Sequence, residues 1–110
     1  MIIKKNKQET ILKCDENSIS DFFLVFKKKY STFKNNNIII DFSDLNGVKT
    51  ENILLFLRLS ENHRNNGTSF VIIVNGIDFD SLPDEIIVVP TLTEARDIIE
   101  MEKIERDLGF

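Results

Sequence analysis

Residues 37–43 read NIIIDFS and residues 69–75 read SFVIIVN, and these two stretches decide the fold. Each is a short, β-branched apolar run of the kind found in a strand that is covered on both faces. The segment between them predicts a helix over about residues 50–66, with Thr50 able to cap its start and Gly67 just past its end. A strand, a helix and a second strand in this order predict a parallel pair with a right-handed crossover.

The residues that precede this β-α-β unit have the patterns of a hairpin and a helix. Residues 1–5 and 9–14 read as two short strands joined by a polar turn around Asn6 and Lys7. From about residue 18 to 34, apolar side chains recur every three or four positions, which indicates a core-facing helix. The six members of this stripe are Ile19, Phe22, Phe23, Phe26, Tyr30 and Phe33.

The chain after this unit predicts one more strand and one more helix. EIIVV at residues 85–89 reads as a strand closed by Pro90. Helical spacing follows at Leu92, Ala95, Ile98, Met101, Ile104 and Leu108. The predicted fold class is therefore α/β, with a mixed sheet that opens with an antiparallel hairpin and continues with parallel β-α-β units, covered by about three helices. No linker or internal repeat interrupts this order, so residues 1–110 are expected to form a single domain.

The charge of the chain limits the classes of partner that it can bind, and its cysteine content indicates its compartment. Lys and Arg number 14 against 18 Asp and Glu, a formal net charge of −4, which disfavours nucleic acid. The charge is uneven, because residues 1–34 carry eight Lys against four acids, and the remainder carries six bases against fourteen acids. Such asymmetry suits either oriented docking to a protein or ordinary surface solvation. A single cysteine, Cys14, and the absence of a long apolar run predict a cytoplasmic chain without disulfides or a membrane segment.

The stretch from Ile38 to Val74 resembles the middle of STAS domains, the family of bacterial anti-sigma-factor antagonists. The matching elements are IIIDFSDL, the tetrapeptide KTEN at residues 49–52, ILLFLRL, and the glycine that precedes SFVIIV. Further along, IIVVPTLTEARDII resembles the last strand and helix of the family, with Glu94 and Ala95 as its Glu-Ala pair. The resemblance implies a STAS-like domain that acts as a non-catalytic, regulatory protein-protein interaction module and needs no cofactor.

The phosphorylation motif of that family is altered here. In the family, the second hydroxyl of an Asp-Ser-Ser/Thr-Gly motif is phosphorylated by a partner kinase. Lys49, Thr50, Glu51 and Asn52 occupy the motif in this chain, so position 51 cannot be phosphorylated. Glu51 either imitates phosphoserine in part or only stabilises the helix start, by about 0.3–1 kcal/mol. The implied partner at these four residues is a protein such as a kinase or a sigma-related regulator.

Two leucines extend this predicted docking surface. Leu55 and Leu59 lie one turn apart and point off the face that carries Ile53 and Phe56. They form a contact site beside Glu51, or a neighbouring segment covers them. The family's next amphipathic helix is replaced by NGIDFDSLPD, which is about long enough for a loop with one turn.

Four aspartates supply an alternative from another functional class. Asp41, Asp44, Asp78 and Asp80 follow the carboxyl ends of the two central strands, where open α/β sheets hold ligands. They could bind Mg²⁺ in a small enzyme or ligand carrier, or they could simply form turns.

The last helix is a further candidate interaction surface, and the only histidine is a further candidate for a structural role. Either the terminal Phe110 folds back onto the sheet, or the stripe of Met101, Ile104 and Leu108 pairs with a partner helix or with a second copy, which would make a homodimer through the C-terminal helix. His63 lies near the end of a predicted helix, where a histidine interacts favourably with the helix dipole.

Overall fold

The computed structural model describes residues 1–109, which build one five-stranded sheet. Its strands, in spatial order, are β1 (Ile2–Lys5), β2 (Glu9–Lys13), β3 (Asn37–Asp41), β4 (Phe70–Ile73) and β5 (Ile87–Val89). Strand β1 pairs antiparallel with β2, and the three remaining pairings are all parallel. The predicted α/β class, the opening hairpin and the parallel central pair are confirmed.

Four α-helices and two short 3₁₀ turns connect the strands. The helices are α1 (Ile19–Lys29), α2 (Thr50–Leu54), α3 (Leu57–Asn65) and α4 (Leu92–Asp107), and the turns are Tyr30–Thr32 and Phe79–Ser81. Helices α1, α2 and α3 pack on one face of the sheet, called the front face below, and α4 packs on the back face. Segment 75–84 is a loop with one turn, as the sequence predicts.

Alternating strand residues build the two faces of the core. Ile38, Ile40 and Ile72 point to the front face, and Ile39 and Val71 point to the back. All five are fully buried, because a parallel sheet with helices on both faces leaves neither side of its central strands to solvent. This double burial explains why the two central strands read as continuous apolar runs.

The predicted helix over residues 50–66 is wrong in one respect, because it is two helices. The amide of Phe56 donates to the carbonyl of Ile53, three residues back, at 3.0 Å, which tightens the backbone between α2 and α3. The fully buried ring of Phe56 lies 5.0 Å from the ring of Phe23 and 5.7 Å from that of Phe26, centroid to centroid. Packing of this ring between α1 and the sheet accompanies the break, and it raises the helix count from about three to four.

The residue that caps the start of this helical segment differs from the prediction, whereas the glycine at its end agrees with it. Lys49, rather than Thr50, is the N-cap residue, and its amide donates to Asn52 Oδ1 at 2.9 Å. Gly67 follows the C-cap with φ of +91°, a conformation that glycine adopts without steric cost. The expected glycine stop is therefore confirmed, and the expected threonine cap is not.

The predicted helix over residues 18–34 ends earlier than expected. Helix α1 begins after Ser18, whose side chain accepts the amide of Asp21 at 3.0 Å, and it ends at Lys29. A 3₁₀ turn then carries Tyr30 and brings Phe33 into the core. The turn keeps the apolar stripe facing inward although the regular helix has ended.

Helix α4 is fastened to the sheet at its start. Thr91 caps it by accepting the amide of Glu94 at 3.1 Å. One turn later, Arg96 crosses the back face and binds the carboxylate of Glu9 in β2. No helix within residues 1–109 has the length and apolar content needed to cross a membrane.

Candidate functional site

The candidate site lies at the edge of the sheet where β3 and β4 both end. Parallel strands place their carboxyl ends at the same edge. The chain leaves β3 through a tight turn in which Asp41 Oδ1 accepts the amide of Ser43 at 2.9 Å and the carbonyl of Phe42 accepts the amide of Leu45 at 3.0 Å. It then enters α2, whose first residues face the loop that follows β4.

A pair of hydroxyl groups joins α2 to that loop. The side-chain oxygens of Thr50 and Ser81 lie 3.1 Å apart. Ser81 also donates to the carbonyl of Asp78 at 2.7 Å, and the carboxylate of Asp78 accepts the amide of Asp80 at 3.1 Å. The loop after β4 is therefore an ordered turn held beside α2, and both sides of the site are defined.

A groove of about 560 Å³ runs between α2 and this turn. We call it the α2 groove; its lining consists of Val48, Lys49, Thr50, Glu51, Leu54, Gly76, Ile77 and Asp78. Its floor is partly apolar, and three charged side chains of mixed sign line it. Apolar side chains and charged side chains of both signs therefore share this surface.

Exposed apolar side chains lie on the two chain segments that form the groove. Leu54 in α2 and Leu55, the C-cap residue of α2, are 38% and 39% exposed, and Phe79 in the 3₁₀ turn is 39% exposed. We call these three residues the apolar rim. Single exposed leucines are common on protein surfaces, whereas these three side chains belong to the two chain segments that form the groove.

The structure brings together most of the residues predicted as a docking surface. Lys49, Thr50 and Glu51 line the α2 groove, and the exposed Leu55 follows the lining residue Leu54 at the end of α2. Asn52 turns to the other side of the helix start, where it holds the amide of Lys49. Leu59 is partly buried and packs against the front core, so it adds less to the surface than Leu55 does.

The four aspartates do not gather into a metal site. Asp44 forms an ion pair with Lys13 at 2.5 Å, and Asp41 holds the backbone amide of Ser43. Asp78 and Asp80 belong to the turn beside α2. Within residues 1–109 no three or more aspartate, glutamate, histidine or cysteine residues are grouped so that they could hold a metal ion. These aspartates shape turns and ion pairs, as their residue type favours after strands.

His63 lies in the last turn of α3, as the sequence predicts, but its ring is buried and both of its nitrogens form hydrogen bonds. The side chain is fully buried between α3 and the front face. Its Nε2 lies 2.8 Å from the carbonyl of Asn36, which can only accept, so Nε2 carries the proton. Nδ1 then accepts the hydroxyl hydrogen of Tyr30 at 2.6 Å. Burial lowers the pKa of His63, and the ring is a neutral part of the core.

A second cleft, of about 460 Å³, lies at the amino ends of the strands and contains one ion pair, between Arg64 and Glu102. Glu102 accepts hydrogen bonds from Arg64 at 2.9 Å and from the buried Ser69 hydroxyl at 2.6 Å. Arg106 donates to the same hydroxyl at 3.3 Å. Because these groups satisfy one another, the cleft serves to join α3 and α4 to the start of β4.

Five residues of the groove and its rim were not predicted, and Val48 and Gly76 are two of them. Leu54, Ile77 and Phe79 contribute the apolar part of the groove and its rim. The available signal was the pair of large apolar side chains, Ile77 and Phe79, within the polar loop NGIDFDSLPD. Such side chains in a loop are either buried under it or presented by it, and sequence does not separate the two.

Two comparisons with known proteins found no match to this chain. No model of a known protein family matches the chain, and no curated protein matches it significantly. The fold and the site define an α/β domain with a five-stranded mixed sheet and an exposed groove of mixed charge. The α2 groove is therefore the basis of the function proposed below.

Proposed function

We propose that this chain is a non-catalytic regulatory module that binds a protein partner through the α2 groove and the apolar rim. The observation that carries the proposal is the apolar rim itself: Leu54 lines the groove, Leu55 and Phe79 directly follow lining residues in the chain, and each of the three is more than a third exposed. Interfaces commonly have an apolar centre surrounded by charges. Lys49, Glu51 and Asp78 place charges of both signs in the groove, next to these apolar side chains.

Glu51 gives the proposed interface its electrostatic character. The side chain is exposed and lines the groove, and it makes no ion pair within the described part of the chain. The resemblance to STAS domains supports a partner such as a kinase or a sigma-related regulator, in a cytoplasmic setting. Because a carboxylate replaces the phosphorylated hydroxyl of that family, binding is proposed to be permanent rather than switched at this position.

Site-specific photo-crosslinking in living cells tests the proposal directly. A crosslinking amino acid at position 55 should yield one discrete adduct, whereas the same amino acid at position 24 should not. Leu24 is the matched control, because it is a leucine on α1 that is 53% exposed and far from the groove lining. Identical adducts from both positions, or none from position 55, would contradict the proposed surface.

Substitutions then separate the two interpretations of Glu51. If the carboxylate takes part in recognition, Glu51→Gln should reduce adduct formation from position 55 without changing the thermal midpoint by more than a few degrees. If it only stabilises the helix start, the variant should lose about 0.3–1 kcal/mol of stability and keep the adduct. A double variant, Leu54→Ser with Leu55→Ser, should abolish the adduct of a crosslinker placed at position 79 in either case.

A further inference from the structure

The outward side of α4 carries an apolar stripe far from the α2 groove. Met101, Ile104 and Leu108 are 56%, 49% and 66% exposed. At about 100° per residue they lie on the opposite side of the helix from Ala95 and Ile99, which pack on the sheet. One side of α4 thus belongs to the core, and nothing in residues 1–109 covers the other. We call these three residues the α4 stripe.

Acidic side chains border the α4 stripe on both sides. Glu94, Asp97, Glu100 and Glu105 are all exposed, and none of them forms an ion pair within residues 1–109. Two such stripes packed against each other would bring like charges together, which opposes association. The symmetric dimer through the C-terminal helix that the sequence allows is therefore disfavoured. The surface that fits this stripe is apolar and basic.

The same chain carries a surface of that kind at the edge of its sheet. Strand β1 reads Ile2, Ile3, Lys4, Lys5, and its two isoleucines are 45% and 42% exposed. Lys7 adds a third exposed base just beyond the strand. Successive strand residues point to opposite faces, so the isoleucines lie above and below an edge that has no further strand beside it.

Within one molecule these two surfaces do not meet. Helix α4 packs on β3, β4 and β5, whereas β1 is at the far edge beyond β2. The α4 stripe also faces away from the sheet. Each copy therefore presents an acidic apolar surface and a basic apolar surface at separate places.

We propose that the protein self-associates head to tail, with the α4 stripe of one copy bound to the β1 edge of the next. On one face of the β1 edge, an isoleucine contacts Met101 and Ile104, and the lysine two residues further along that face lies against the acidic border. Because the two surfaces differ, every added copy leaves one of each free, and assembly continues into a ring or a filament. Exposed ion pairs contribute little free energy each and are screened by salt, so the association is weak and salt-sensitive.

Sedimentation of the full chain over a range of concentrations measures the association. The average mass should rise above that of one chain at high concentration in dilute buffer, and it should return to one chain in molar salt. Two variants should each stay single: Met101→Ser with Ile104→Ser, which removes the apolar stripe, and Lys4→Glu with Lys5→Glu, which reverses the basic edge. Circular dichroism checks that both are folded.

A mixture of these two variants is the decisive measurement. The stripe variant keeps a native β1 edge, and the edge variant keeps a native α4 stripe. An equimolar mixture should therefore form complexes of two chains and nothing larger. The matched control, Lys28→Glu with Arg58→Glu, changes the net charge by the same amount as the edge variant at exposed positions on α1 and α3 and should associate like the native chain.

Three results would overturn the proposal. The native chain could remain single at every concentration in dilute buffer. The edge variant could associate as the native chain does, which would indicate a symmetric contact that does not involve β1. The mixture could contain single chains only. None of these results bears on the α2 groove, so the proposed function stands or fails separately.

Discussion

The hydroxyl of Tyr30 lies 2.6 Å from Nδ1 of His63 and donates to it, which joins the turn after α1 to α3. The opposite ring nitrogen donates to the carbonyl of Asn36 at the start of β3, at 2.8 Å. One neutral imidazole thus bridges three separate parts of the chain across the front face. Both of its nitrogens are satisfied although the side chain is fully buried, as a buried polar group requires.

Protonation of His63 should make the protein less stable below neutral pH. Burial lowers the pKa of His63 below its ordinary value of 6.5, so the folded chain binds the proton less tightly than the unfolded chain does. The free energy of unfolding is therefore fully developed above about pH 6.5 and falls as the pH decreases towards the lowered pKa. Urea unfolding at a series of pH values measures this slope.

The control for this pH dependence is His63→Gln. His63 is the only histidine of the chain, so the variant should lose the slope between about pH 5 and 6.5, where carboxylates contribute little. A slope that persists unchanged in the variant would show that another group is responsible.

Removal of the Tyr30 hydroxyl should destabilise the fold through His63. In Tyr30→Phe the ring still packs against Phe26 and Phe33, but Nδ1 of His63 loses its donor in a buried site. The expected loss is about 1–3 kcal/mol, measured by urea unfolding. Combined with His63→Gln, the two losses should not add, with a coupling energy of at least about 0.5 kcal/mol. Strictly additive losses would contradict the hydrogen bond.

Replacement of Arg96 should lower the free energy of unfolding by more than the exposure of the arginine side chain suggests. Its Nε donates to both carboxylate oxygens of Glu9, at 3.2 and 3.1 Å, and its Nη2 lies 3.0 Å from one of them. The arginine side chain is 52% exposed and the glutamate side chain only 7%. Arg96→Ala leaves that carboxylate buried without a charged partner, with an expected loss of about 1–3 kcal/mol in chemical unfolding.

Two further variants serve as controls for Arg96→Ala. Arg96→Lys should recover only part of the loss, because an ammonium group cannot make the forked contact of a guanidinium. Arg58→Ala, at an exposed position in α3, should change stability by less than about 0.5 kcal/mol. Equal effects of the two alanine variants would exclude a structural role for the Glu9 contact.

Leu55 and Leu59 should respond differently to replacement by serine. Leu55 is 39% exposed, so Leu55→Ser should shift stability by less than about 1 kcal/mol. Leu59 packs against the front core, so Leu59→Ser should lose about 1–3 kcal/mol as its buried apolar surface returns to water. Thermal melting of both variants checks the difference. A large loss for Leu55 would assign that leucine to the core and weaken the proposed docking surface.

Residue patterns alone were enough to predict most strands and helices, the antiparallel hairpin of β1 and β2, and the parallel pairing of β3 with β4. Apolar runs at residues 37–43 and 69–75, with a helical pattern between them, were enough to predict parallel strands. The start of α4 and the stop at Gly67 also followed from local residue types. These features depend on periodicity and on backbone preferences of neighbouring residues, which a linear sequence records directly.

Tertiary structure alone decided the break at Phe56, the neutral state of His63, the burial of Glu9, and which apolar residues stay exposed around the α2 groove. Each depends on a contact between residues far apart in the chain, as between Glu9 and Arg96 or between Thr50 and Ser81. Local spacing shows where a side chain points, but burial and ionisation depend on what the rest of the fold brings against it. The same sequence pattern therefore left Leu55 exposed and placed Leu59 against the core.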